Sequence, residues 1–312
     1  AQAVEAVIEN LTYANSVSNP VATRTVSIQV SDGAGGASAP RLVTIEVTPE
    51  YDGARPLFEE EVVNTWTPNA QSQPAMARLA DGGYVTVWTS QGQDGWGYGI
   101  YGQRYDAQGV AVGNQFQVND YTPYDQVEPA IAGLGGGFVV VWTDRGGADG
   151  NSYGVFGQRY DADGLQVGEA FLVNASTSSN QYQPTVASLP GGGFVVAWYS
   201  DGYQDGRYYD VFLQRFDANG QPLGAETRAN TSSGFENNAQ YEPAITVLAD
   251  GSFVVTWRSD GNSDGDGGYA GVFGQRFAAD GSALGAEFQI NTYTPYYQYE
   301  PSIAALADGG FV

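Results

Sequence analysis

Residues 129–174 read PAIAGLGGGFVVVWTDRGGADGNSYGVFGQRYDADGLQVGEAFLVN: four short apolar runs separated by turn residues, with no helical pattern. Residues 129–134 make a first strand, the glycines at 135–137 a tight turn, and 138–142 a second strand. That second strand, Phe138-Val-Val-Val-Trp142, is apolar at every position, so both of its faces are buried, as in a sheet lying between two others. An open loop over 143–153 leads to a third strand over 155–160. The turn Asp161-Ala-Asp-Gly164 follows, its Gly in the left-handed position, and a fourth strand runs over 169–174.

The unit repeats. Trp88, Trp142, Trp198 and Trp257 stand 54, 56 and 59 residues apart, and the Gln-Arg pairs beginning at 103, 158, 214 and 275 keep spacings of 55, 56 and 61. Pro74, Pro129, Pro184, Pro243 and Pro301 follow the same beat. Four-stranded units at this period predict an all-β fold, a β-propeller-like array of blades over residues 57–312, with an open β-repeat stack as the alternative. Four copies are whole. Residues 57–64 match only a fourth strand, and 301–312 only a first strand and the start of a second, so the chain reads as cut from a longer one.

Residues 1–50 differ. Two alternating stretches, 25–32 and 41–48, read as antiparallel strands joined through Gly33-Ala-Gly-Gly36, and 51–56 as a linker.

Twelve Arg, no Lys and 35 acidic residues give a net charge of −23, which disfavours nucleic acid and favours cations. Without Cys there are no disulfides, and without His the usual general base and the commonest transition-metal ligand are missing. No apolar run approaches the ~18 residues that cross a bilayer, so membrane insertion is not expected.

In a four-stranded meander the loop between strands two and three shares an end with the loop joining successive blades. The first is rich in Asp and Gly, the second in Tyr. Calcium takes six to eight oxygens from carboxylates, amides and carbonyls, and the acids after each tryptophan supply them: Asp260, Asp264 and Asp266 in blade four, Asp201, Asp205 and Asp210 in blade three, Asp144 and Asp149 in blade two, Asp94 in blade one. Asp-Gly pairs also simply turn chains. On the same face Trp66, Trp96, Tyr121, Tyr124, Tyr153, Tyr182, Tyr203, Tyr241, Tyr293 and Tyr296 offer rings for a glycan or protein surface, or plug the gaps between blades. Arg104, Arg159, Arg215 and Arg276, one per blade, read as architecture, each pairing with a carboxylate such as Glu128, Glu242 or Glu300.

The core Phe253-Val-Val-Thr-Trp257 with Gly271-Val-Phe-Gly-Gln-Arg-Phe277 resembles repeats of giant secreted, adhesin-like bacterial proteins exported by type I secretion. TRTVSIQVSDGAGG and VTIEVTPEYDG are similar to the last part of a cadherin- or immunoglobulin-like β-sandwich. The resemblance implies a secreted or cell-surface, adhesin-like context; joined to the acidic loops and aromatic face, it gives a calcium-stabilised adhesion module, not an enzyme, presenting that face to glycan or protein. A structural spacer or filament-forming unit, binding copies of itself, is the alternative. A third reading is a polysaccharide-active enzyme with paired carboxylates; against it, the acids recur in every blade instead of standing out in one.

Overall fold

The computed structural model describes residues 62–202, 209–231, 239–260, 270–293 and 295–312, and the backbone alone of 23–28 and 41–46. The chain divides into two compact units, residues 1–61 and 62–312. In the first, β1 (Thr23–Ile28) and β2 (Arg41–Glu46) pair antiparallel, Thr23 opposite Glu46 and Ile28 opposite Arg41, as the alternating pattern predicts. Nothing among the described residues adds the second sheet that a cadherin- or immunoglobulin-like sandwich needs.

The second unit holds four antiparallel four-stranded sheets, each a meander of consecutive strands. Blade one is β3 (Gln71–Arg78), β4 (Tyr84–Gln91), β5 (Tyr98–Tyr105) and β6 (Ala111–Gln117). Blade two is β7 (Gln126–Leu134), β8 (Gly137–Asp144), β9 (Gly154–Asp161) and β10 (Gln166–Leu172). Blade three is β11 (Gln181–Ser188), β12 (Phe194–Ser200), β13 (Asp210–Phe216) and β14 (Thr227–Arg228). Blade four is β15 (Ala239–Val247), β16 (Phe253–Asp260), β17 (Gly271–Phe277) and β18 (Ala283–Gln289). An Ala305–Phe311 bridge begins one more first hairpin. No helix occurs among the described residues.

The second strands make the core. All eight positions of β8 are buried. Because successive residues of a strand face opposite sides, Phe138, Val140 and Trp142 pack against Val85 and Val87 of blade one, while Val139 and Val141 pack against Phe194, Val196 and Trp198 of blade three. Val195 and Ala197 pass the pattern on to Phe253, Val255 and Trp257 of blade four. The blades are therefore glued face to face, each fully buried side chain contributing roughly 1.5–3 kcal/mol.

Two devices hold each blade's outer half. The register slips between third and fourth strands in blades one, two and four beside the left-handed Gly113, Gly168 and Gly285, with Gly224 left-handed at the matching place in blade three, and the amide of Gln103, Gln158, Gln214 or Gln275 donates to the carbonyls there. The Arg beside it crosses to the next blade. Arg104 donates to Ala162 O at 2.7 Å, Arg159 to Ala218 O and Asn219 O at 2.6 Å each, and Arg215 to Ala279 O at 2.7 Å. These arginines bridge blades mainly through turn carbonyls instead of Glu128, Glu242 or Glu300, and Arg104 also faces Asp81 of its own blade at 3.9 Å. Arg276 pairs with Asp250 at 2.7 Å.

Candidate functional site

Each repeat proline follows a Gln or Glu, and all five of these residues sit in the left-handed region: Gln73 at φ 53°, Glu128 at 58°, Gln183 at 48°, Glu242 at 54° and Glu300 at 50°. A residue before proline ordinarily stays extended. Here the register slips at this point in every first strand, between Ser72 and Ala75, Val127 and Ala130, Tyr182 and Thr185, and Tyr241 and Ala244. The bulge turns the five side chains onto one axial cavity of about 360 Å³. Convergence on a common axis distinguishes a propeller from an open stack.

The ring is cross-tied. Gln73 Oε1 accepts the Glu128 N–H at 3.1 Å, Glu128 Oε2 the Gln183 N–H at 3.0 Å, and Glu242 Oε2 the Glu300 N–H at 2.7 Å. Two members carry a cation: Arg145 lies 3.3 Å from Glu128 and Arg258 3.5 Å from Glu242. The Glu300 carboxylate has no partner among the described residues. Left-handed non-Gly residues cost of order 1–3 kcal/mol each and cluster where surrounding structure, or function, demands them.

A second cavity of about 250 Å³ adjoins the first, lined by Gln183, Tyr199, Tyr241, Glu242, Arg258 and Asp260. Asp260 grips Arg258 in a fork, Oδ1 to Nε at 2.7 Å and Oδ2 to the outer nitrogen at 2.8 Å. Tyrosines wall the space: Tyr182 stacks on Tyr199 at 5.0 Å, and Tyr241 meets Tyr199 edge-on at 5.5 Å. Burial, followed by the charge of Asp260, pushes the Tyr241 hydroxyl up to about 12. Burial also raises Tyr182, which donates to Asp201 at 3.0 Å, and Tyr199 beside Glu128.

The Asp-Gly and inter-blade loops share one face: Tyr121 OH donates to Gly146 O at 3.3 Å, and the Asn151 amide to Thr177 O at 2.6 Å. Asp144 is buried, accepting the Gly146 N–H and the Gln126 amide at 2.9 Å each. Asp149 accepts the N–H groups of Asn151 and Ser152, and Asp94 that of Trp96. Asp201 takes the backbone and amide N–H groups of Asn180. Asp210, also buried, accepts the Asn230 amide at 2.6 Å and faces Arg228 at 3.7 Å. Asp205, Asp264, Asp266 and Tyr203 lie outside the described residues. Among the described residues no three carboxylates gather about one point.

Of the aromatic set, Trp96, Tyr121, Tyr124, Tyr293 and Tyr296 are exposed. Trp66, Tyr153, Tyr182 and Tyr241 are half-buried. Sequence reasoning missed the axial ring. Its signal was the Gln or Glu before each repeat proline, with Glu128, Glu242 and Glu300 read only as arginine partners.

No protein-family model and no curated protein matches the chain. Solved structures do. A protein of unknown function from Dyadobacter fermentans is similar with a TM-score of 0.54 at 11% identity, over 76% of this chain and 72% of that one. The α-L-arabinofuranosidase Arb93A of Fusarium graminearum, in complex with an iminosugar inhibitor, gives 0.51 at 16%, over 76% and 69%. The Penicillium chrysogenum α-L-arabinanase complexed with arabinobiose gives 0.48 at 13%, over 77% and 86%.

At these identities the likeness establishes the fold, a propeller of the kind glycoside hydrolases use. It corrects the expected resemblance to adhesin-like repeat proteins: the similar structures named as enzymes are glycoside hydrolases. The readings of the chain as an adhesion module and as no enzyme are corrected by the same finding.

Proposed function

We propose that the chain is a glycan-active propeller, a carbohydrate hydrolase whose substrate enters the axial cavity and meets the carboxylates of Glu128, Glu242 and Glu300. The observation that carries this reading is the left-handed ring, which turns those three acids toward one channel. Hydrolysis of a glycosidic bond needs one carboxyl group to protonate the leaving oxygen and a second to act as base or nucleophile. Glu300, without a partner among the described residues, is available to exchange a proton with substrate or water. Glu242 is its counterpart, held in place by Arg258 and by the Glu300 N–H. Tyr199 and Tyr241 offer ring faces for the sugar. The shared fold with Arb93A supports a glycan substrate by analogy only, since one fold hosts many chemistries.

Reducing-sugar release from soluble arabinan, xylan and β-glucan tests the reading. Glu300→Gln and Glu242→Gln are each expected to lower the rate by about 10²–10⁴-fold with thermal stability retained. No release from any of the three glycans, or both variants within twofold of the parent, would sink it.

A further inference from the structure

We infer that Tyr299, stacked on Arg258, and Tyr297, stacked in turn on Tyr299, form a platform that holds a sugar ring of a neutral polysaccharide outside the axial cavity. The inference rests on the glycan reading above and extends it to the substrate class: a chain without charge, engaged at more than one ring. The platform is a ladder of planar groups. The Arg258 guanidinium lies 4.5 Å from the Tyr299 ring centre and 5.6 Å from that of Tyr241, and Tyr297 stacks on Tyr299 at 5.8 Å with 7° between planes. The fork to Asp260 fixes the guanidinium plane, so the rungs are set before any ligand arrives.

The rings are nonetheless open to solvent, Tyr297 at 56% and Tyr299 at 53%. The repeat shows that Tyr297 is a departure. Counting from the Gln that starts each first strand, its counterparts are Ala70, Asp125, Asn180 and Ala239. Asp125 accepts the Tyr98 N–H, and Asn180 binds Asp201. The fifth copy sets a large exposed ring where the other four carry Ala, Asp or Asn. Exposed rigid aromatics with polar tips are the side chains that stack on sugar faces.

The neighbouring cavity, at about 250 Å³, falls below the roughly 300–1,000 Å³ of drug-sized sites and suits a single ring. Charge sets the class. The chain carries −23, and among the described residues the arginines at this end of the channel, Arg145 and Arg258, are already matched, the first by Glu128 and the second by Glu242 and Asp260. A polyanionic glycan finds no spare cation among these described residues, and the net charge repels it.

Affinity gel electrophoresis in soluble arabinan, xylan, β-glucan and, as the anionic probe, polygalacturonate tests the inference. The parent is expected to be retarded by at least one neutral glycan and not by polygalacturonate. Tyr297→Ala should weaken that apparent affinity by about tenfold, while Tyr297→Phe keeps it. An unchanged mobility shift in Tyr297→Ala and Tyr299→Ala overturns the platform and leaves the axial reading standing. Retardation by polygalacturonate alone overturns the neutral class. A parent unretarded in every gel overturns the platform too, and the axial reading is then judged separately by sugar release.

Discussion

The Glu128 carboxylate of blade two accepts the backbone N–H of Gln183 in blade three at 3.0 Å. The same group takes the Thr143 hydroxyl at 2.9 Å and the Arg145 guanidinium at 3.3 Å, so one side chain joins two blades at the axis. Glu128→Ala is expected to cost about 2–4 kcal/mol, because the partners left behind are only partly solvated. In calorimetry that is a fall in Tm of about 5–10 °C. Glu128→Gln should fall less, since an amide oxygen performs the same service at Gln73. An alanine variant melting with the parent would show that blade docking does not depend on the ring.

The arginine clamps work at the outer half of the same interfaces. Arg159 places its fork on two consecutive carbonyls, Ala218 and Asn219, and its stem passes over Gly220, where a Cβ would sit 2.9 Å from Arg159 Cδ. Lysine offers a point charge in place of the fork. Arg159→Lys is therefore expected to lose about 1–2 kcal/mol, and equilibrium denaturation should show a lower midpoint. Equal midpoints for the two proteins would mean that charge alone sustains the contact.

Much of the blade was legible because its signals are local or strictly periodic. The apolar run at 138–142 announced a strand buried on both faces, and β8 is that strand. The Trp and Gln-Arg spacings announced the repeat, and all four copies fold as sheets. The axial ring was not legible, because pre-proline residues are ordinarily extended and only the bulges turn Glu128 and its counterparts inward. The arginine partners were missed for a related reason. A carbonyl 58 to 64 residues ahead leaves no mark in the residue type that bears it.

Buried tyrosines set the alkaline limit. Burial, with a smaller push from Asp94, raises Tyr101 to about 12, and Tyr241 also reaches about 12, against an ordinary value of 10. Since both are raised, the stability they contribute is complete below pH 10 and is lost as pH rises from 10 through 12. Absorbance at 295 nm should therefore show, above pH 10, a step of tyrosine ionisation coincident with loss of the fold. A single step near pH 10 with the fold intact contradicts this.

At low pH the sign reverses for the turn acids. Hydrogen bonds from Ser252 hold Asp250 below the usual carboxylate range, and those from Ser282 do the same for Asp280. Their contribution is present above about 3.8 and is lost as pH falls through their lowered values, while buried Asp144, raised by desolvation, acts oppositely. Replacing Ser252 and Ser282 by Ala should narrow the acid stability range in circular dichroism. An unchanged acid midpoint would remove the turn acids from the account.

In the Asp-Gly loop of blade two, Asp144 is closed by protein groups on both oxygens, while Asp149 accepts from Asn151 and Ser152 through Oδ1 and keeps a buried Oδ2 without a hydrogen-bond partner among the described residues. An ion at Asp144 would have to displace hydrogen bonds already made to backbone and amide. Asp144→Ala leaves the buried Gln126 amide and the Gly146 N–H short of an acceptor, at a cost of about 1–3 kcal/mol. The fall in Tm should be the same in millimolar calcium and in excess chelator, because the hydrogen bonds removed run between groups of the protein itself. If chelation instead lowers the parent's Tm while leaving Asp144→Ala unmoved, a bound cation and not the Gln126 amide is what holds this loop.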